Sequence, residues 1–555
     1  MTLTSVFHYL CRSGIKGTAA LFLFLPFAGY SQTTFTRQDS LRGSITTERE
    51  WWDLTYYHLS VDVDPTKKSI TGRNEIQYQV LNSGTRLQLD LQEPMVLETA
   101  TQEGEPLTFE RDGNAYFISL AKDQKPGVYE TLIVTYSGIP RVAKRAPWDG
   151  GFSWNEDANG DPFVATSCQG LGASAWWPVK DHMYDEPDSM AISITVPKPL
   201  MDVSNGQLRS VVDNGTSRTF NWFVSNPINN YGVNINLGNY THFGETFEGE
   251  NGLLQLDYYV LQEDLDKAKS QFQQTKPMLA AFEHWFGPYP FYADGFKLVQ
   301  VPYLGMEHQS SVTYGNRFEN GYLGRDLSGT GWGLKFDFII IHESGHEWFA
   351  NNITYKDIAD MWIHESFTAY SENLYLDYHF GTAAAADYVI GTRKNIQNDR
   401  PIIGQYHVNN SGSGDMYYKG ANMLHTLRQL VDNDEKWRQI LRGLNREFYH
   451  QTVTTDQIET YLSIHTGKDL TAFFNQYLRS SQIPNLEYST NGEVLSFRYT
   501  QIVDGFDMPV KIHLGDTEQW IFPEANWKEI KVLPNREIAV DRNFYVEANA
   551  VQAPK

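Results

Sequence analysis

His342-Glu343-Ser344-Gly345-His346-Glu347-Trp348 follows directly on an apolar run, Phe338-Ile339-Ile340-Ile341. The run is long enough to form a buried turn of helix. On a helix, residues four apart lie on one face, about one turn apart. His342 and His346 can therefore turn their imidazoles toward one metal ion. Glu343 is rotated off that axis, where it can act on a water rather than ligate. Two solvated histidines on a surface helix are the ordinary alternative, and the apolar flank argues against it.

A catalytic zinc takes three protein ligands and keeps one position open. Glu365, in Trp362-Ile363-His364-Glu365-Ser366-Phe367, lies 19 residues after His346 and is the third candidate. An accidental H-E-x-x-H string is expected in roughly a few per cent of chains with this histidine content; a Glu at one fixed downstream spacing lowers that by about another order of magnitude. The expectation is one zinc ion per chain on His342, His346 and Glu365, with Glu343 as general base.

Away from this centre the hydrophobic period changes on both sides. From about residue 50 to 245 it is two: Tyr57, Leu59, Val61 and Val63 alternate with polar residues, and so do Leu87, Leu89 and Leu91. Turn signals such as Asn82-Ser83-Gly84 and Asn214-Gly215 separate the runs. This predicts an antiparallel β saddle or sandwich. A helix is predicted from Glu263 to Trp285 and a short strand from Phe296 to Val301. A loop rich in Gly, Asn and Ser is predicted over 316–333, then helices to about 479. Alternation returns over 485–552, as in Val494-Leu495-Ser496-Phe497-Arg498-Tyr499, and predicts a small β domain. The whole reads as a multidomain α+β chain: a β domain at 32–245, a catalytic domain with a mostly helical second half at 246–480, and a small β domain at 481–555.

The segments HESGHEWFANNIT and DMWIHESFTAY resemble the zinc core of the gluzincin aminopeptidases, the family of aminopeptidase N and leukotriene hydrolase. Its core usually reads HELAHQWFGN followed by WLNEGFA. The resemblance implies a thermolysin-like catalytic domain and runs from about residue 50 to the end. On this reading the large helical C-terminal domain of longer members is not expected in these residues.

Three further segments carry the resemblance. Leu304-Gly305-Met306-Glu307-His308-Gln309-Ser310 is similar to the family's GAMEN exopeptidase motif, with Leu304 in place of its first Gly and His308 in place of its Asn. It implies that Glu307 binds the substrate's free α-amine, with Gly305 and Met306 beside it. A carboxylate near the metal pairs with an ammonium, and only a peptide end carries one there. Tyr417-Tyr418-Lys419-Gly420-Ala421 resembles the Tyr-x-Lys-Gly-Ala signature. It implies that Tyr417 donates a hydrogen bond to the oxyanion, with Tyr418 as the neighbouring alternative. Ser167 to Asp181 resembles a β-domain segment that reaches the active site, with Gln169 on the substrate-contacting position. Ligating histidines are usually oriented by a carboxylate that accepts from the ring nitrogen facing away from the metal; Asp360 and Glu372 are the candidates.

The N-terminus reads as an export signal over residues 1–31. Arg12 and Lys16 precede the apolar core Leu21 to Phe27, and Gly29 and Ser31 offer small residues before Gln32. The expected location is the periplasm or the medium. Cleavage takes the formal charge from −22 to −24, which argues against nucleic acid and anionic membrane as partners. It also removes Cys11 and leaves Cys168 alone, so an intrachain disulfide is excluded. No later segment is apolar enough to insert stably in a membrane. Peptides with a free N-terminus are the expected partners; oligomeric state has no signal in the sequence. Three other readings stand beside the aminopeptidase: a zinc endopeptidase with the same chemistry, an inactive binding protein of the same fold, and the epoxide hydrolase activity known in one branch of the family.

Overall fold

In a computed structural model of the chain, residues 34–534 and 536–552 are described. The stretch read as an export signal lies outside them. The predicted period-two region forms an eight-stranded sheet in the order Gln207–Asp213, Ser217–Val224, Ser189–Pro197, Trp52–Asp64, Ser69–Val80, Tyr129–Gly138, Val96–Gln102, Glu105–Pro106. All neighbours are antiparallel except Trp52–Asp64 and Ser189–Pro197, which run parallel. Leu59, Val61 and Val63 face inward onto the core, as their alternation requires. A four-stranded sheet packs with it, and its strand Pro162–Ser167 delivers Gln169 just beyond its end.

A second sheet follows, in the order Tyr240–Gly249, Gly252–Leu261, Phe296–Gln300, Val312–Tyr314, Gly305–Met306. The domain boundary read at 245/246 falls inside its first strand, which pairs only downstream with Gly252–Leu261. The predicted helix Glu263 to Trp285 is broken: Leu265–Gln271 and α1, Thr275–Phe286, are α-helical, and Phe272–Gln274 is a tighter turn. Pro277 has no N–H to bond back into the preceding turn, so a new helix starts just before it.

Three helices build the rest of the centre: α2, Phe338–Gly345; α3, Trp362–Phe380; and α4, Tyr418–Val431. Asp337 caps α2 by accepting from the N–H groups of Ile339 (3.0 Å) and Ile340 (3.3 Å). At Gly345 a Cβ would stand 2.5 Å from Ser371 Oγ, so only glycine allows α2 to lie this close to α3. The strands from Asn485–Asn491 to Glu547–Ala550 form two small sheets that share a core with the helices. Among the described residues no helix is long and apolar enough to cross a membrane.

Candidate active site

His342 lies in the last turn of α2 and His346 directly follows that helix; Glu365 lies in the first turn of α3. All three are buried. Glu365 Oε2 stands 3.8 Å from His342 Nε2 and 3.5 Å from His346 Nε2. Zinc–nitrogen and zinc–oxygen bonds of about 2.0–2.2 Å in tetrahedral directions put donor atoms about 3.3 Å apart, so the spacing suits one zinc ion. The same oxygen is buried without a hydrogen-bond partner among the described residues. An orphaned carboxylate oxygen facing two imidazole nitrogens is what a metal would satisfy.

The opposite ring nitrogens are already engaged. His342 Nδ1 bonds Glu372 Oε1 at 2.7 Å, and His346 Nδ1 lies 3.0 Å from both Phe349 O and Thr368 Oγ1. This leaves each Nε2 toward the cavity. Asp360 does no such work: it accepts from Thr455 and Tyr406. Burial raises the Glu365 carboxyl, but the two histidines outweigh it and hold the group well below its ordinary range.

Glu343 lines a cavity of about 440 Å³ with His342, His346, Glu365, Glu307 and Tyr417. Burial pushes its carboxyl up to about 7; the imidazoles of His342 and His346 pull it down, and Glu307 and Glu365 push it up. Tyr417 precedes α4 and stacks on His342 with ring centroids 6.0 Å apart. Burial, then the Glu365 and Glu307 carboxylates, raise its phenol well above the ordinary value, so it keeps its proton. Tyr418 lines the same cavity.

Glu307 sits just past the edge strand Gly305–Met306, with its carboxylate within 4.8 Å of ligand atoms of Glu343 and His346. Gln169 Nε2 donates to Glu307 Oε1 at 2.6 Å and to Glu365 Oε1 at 2.9 Å. One β-domain amide thus ties two carboxylates from different elements. Sequence reasoning missed Tyr231, whose hydroxyl donates to Glu307 Oε1 at 3.1 Å. It also missed Asn351, whose amide holds Glu307 O at 2.9 Å. Leu304 and Met306 line the cavity. His308 does not: it is buried against Thr313 Oγ1 at 3.3 Å. Trp148, two-thirds exposed, stands at the rim.

At Gly305 a Cβ would lie 2.6 Å from Ile339 Cγ2 and 3.0 Å from Thr313 O. Gly305→Ala therefore wedges the Glu307 strand away from α2. It is expected to cost about 1–3 kcal/mol of stability and to lower activity, read by thermal melting and kcat/KM together. Wild-type values in both would show that the strand yields without cost.

Comparisons agree with this layout. Residues 54–231 match the family described as Peptidase M1 N-terminal domain, and residues 270–477 match Peptidase family M1 domain. A "Probable aminopeptidase 2" of Sulfurisphaera tokodaii is 20% identical over 413 residues, 71% of this chain and 50% of that protein. A "Leukotriene A-4 hydrolase" of Xenopus laevis is 22% identical over 450 residues, 74% of this chain and 68% of that protein. The chain spans about half the length of the first curated relatives. Among solved structures, a mutant M1 zinc metallopeptidase of Deinococcus radiodurans with a Tyr-Ser-Ala substrate superposes with a TM-score of 0.66 at 20% identity, over 79% of this chain and 96% of that one.

Proposed function

This chain is built from the N-terminal and catalytic domains of peptidase family M1, and from that premise we infer that it is a zinc-dependent aminopeptidase, removing the first residue from peptides with a free N-terminus. The observation that carries this reading is the place of Glu307: a buried carboxylate, within 4.8 Å of Glu343 and His346 ligand atoms and tied through Gln169 to Glu365.

His342, His346 and Glu365 would hold the zinc. The chemistry supplied by zinc bound there is Lewis acidity toward the scissile carbonyl and a lowered pKa of water. Glu307 accepts hydrogen bonds from the α-ammonium, which brings the first peptide bond, and no later one, to Glu343. Glu343 takes the proton of the attacking water and returns it to the leaving amine; its burial keeps its proton affinity high enough for both steps. The Tyr417 phenol donates to the oxygen that gains charge as the carbonyl becomes tetrahedral.

The test is a panel of aminoacyl anilides beside their N-acetylated counterparts, with and without a zinc chelator. Cleavage is expected only of the free amines, lost with chelator and restored by zinc. Equal cleavage of the acetylated compounds would instead make the protein an endopeptidase.

A further inference from the structure

We propose that Tyr231 is a positioning residue for the amine anchor, fixing the Glu307 carboxylate through a buried hydrogen-bond chain that starts at His364. The proposal rests on the reading of Glu307 as the group that holds the α-ammonium. Tyr231, His364, Tyr355 and Glu307 are all at most 3% exposed.

The direction of the chain follows from its far end. The backbone N–H of Tyr355 donates to His364 Nε2 at 2.9 Å. A ring nitrogen that accepts carries no proton, so in the neutral imidazole the proton sits on Nδ1. Nδ1 faces the Tyr231 oxygen at 3.5 Å, a long contact that still sets the polarity. The tyrosine oxygen is thereby cast as acceptor from the histidine, and its own hydrogen points to Glu307 Oε1, 3.1 Å away.

Glu307 needs such support. Its carboxylate shares a cavity with those of Glu343 and Glu365, and like charges at this range repel. Free to rotate, it would turn away from them. Two donors, Gln169 Nε2 and Tyr231 Oη, meet on Oε1, which holds the plane of the carboxylate in place.

Tyr231 is itself pinned. Asn229 Oδ1 accepts from Gly232 N at 2.7 Å and closes the turn Asn230–Gly232. Asn229 Nδ2 donates to Asn351 Oδ1 at 3.0 Å, and Asn351 Nδ2 donates to Glu307 O at 2.9 Å. One turn of the β domain thus fixes both the side chain and the backbone of the anchor. Tyr231, His364, Asn229 and Asn351 do not line the cavity, so their effect falls on the substrate's position through Glu307.

Tyr231→Phe keeps the ring and removes one donor. KM for free aminoacyl anilides is expected to rise about tenfold, because a carboxylate with one fewer fixing donor is less well placed for the ammonium. The turnover number stays within about twofold, because the lost contact is made equally in the ground and transition states. Competitive binding of a free amino acid over the matching deamino acid falls by the same factor, while zinc content holds and the melting temperature falls modestly, because Glu307 Oε1 and His364 Nδ1 each lose a buried partner. His364→Gln, which retains an acceptor for Tyr355 N–H, raises KM in the wild-type background but adds nothing on top of Tyr231→Phe, because both act through one hydroxyl. Glu307→Gln is the control. If it abolishes the free-amine preference and Tyr231→Phe leaves KM and that preference unchanged, the positioning role is overturned. If Glu307→Gln itself leaves the preference intact, the anchor reading falls, and the proposal with it.

Discussion

Glu343→Gln is expected to lower kcat by about three orders of magnitude or more, the upper part of the range for general acid–base catalysis, while zinc content stays at the wild-type level. The amide has the shape of the carboxylate but cannot take a proton from water at neutral pH. Three orders of magnitude correspond to about 4 kcal/mol of transition-state stabilisation. Stability should not fall with activity. Burial raises the Glu343 carboxyl to about 7, and its ionised form faces the carboxylates of Glu307 and Glu365. A carboxyl raised on folding favours the folded state while protonated, and that advantage disappears as pH rises from the unfolded value of about 4.3 through the folded one. In the metal-free protein the amide therefore melts at or above the wild-type temperature at pH 8. Steady-state kinetics, metal analysis and melting curves at that pH decide the matter. A kcat within tenfold of wild type would remove Glu343 from the role of base.

How far the site was legible depends on how local its geometry is. His342 and His346 follow from helical spacing alone, and the apolar run before them announced the burial of α2. Glu372 lies two helical turns after Glu365 on α3, a spacing that puts both on the face toward α2, and it meets His342 there. Asp360 has no such relation and serves Thr455 instead. Gln169 and Glu307 are 138 residues apart in the chain; no periodicity brings such a pair together, and only the resemblance suggested that both reach the cavity. Tyr231 sits in an Asn-rich turn with no pattern around it. Its role is written in the packing of that turn on Asn351, which no linear spacing encodes. His308 shows the converse: it stands next to Glu307 in the same motif, yet the chain beyond the strand Gly305–Met306 turns it into the core beside Thr313.

The fold divides the same way. Alternation marked the inward faces of Trp52–Asp64, but it is identical for parallel and antiparallel neighbours, so the parallel pairing with Ser189–Pro197 gave no sign. The boundary read near 245 falls within Tyr240–Gly249, a strand with the same period as those before it that differs only in its partner. The helices Arg37–Gly43 and Thr47–Glu50 are too short for a 3.6-residue period to show.

His346→Ala is expected to abolish zinc retention through dialysis and to lower activity by about three orders of magnitude or more, since two protein donors do not make a structural or catalytic zinc site. The melting temperature carries the sharper reading. Zinc at a thousand times its dissociation constant stabilises the protein that binds it by about 4 kcal/mol, so the wild-type melt should move up as zinc is added to metal-free protein. With His346 gone, that shift should vanish. The metal-free variant should itself melt below metal-free wild type, because the imidazole 3.5 Å from Glu365 Oε2 is one of the groups that offset the buried carboxylate. Breaking one side of a buried charge pair typically costs about 3–5 kcal/mol. Losing zinc while keeping the metal-free stability would mean that Glu365 takes up a proton without penalty. A zinc-dependent shift as large as in wild type would place the ion away from His346; His513, Glu518 and Asp541, which also gather their ligand atoms within 4.8 Å, would then be the residues to replace next.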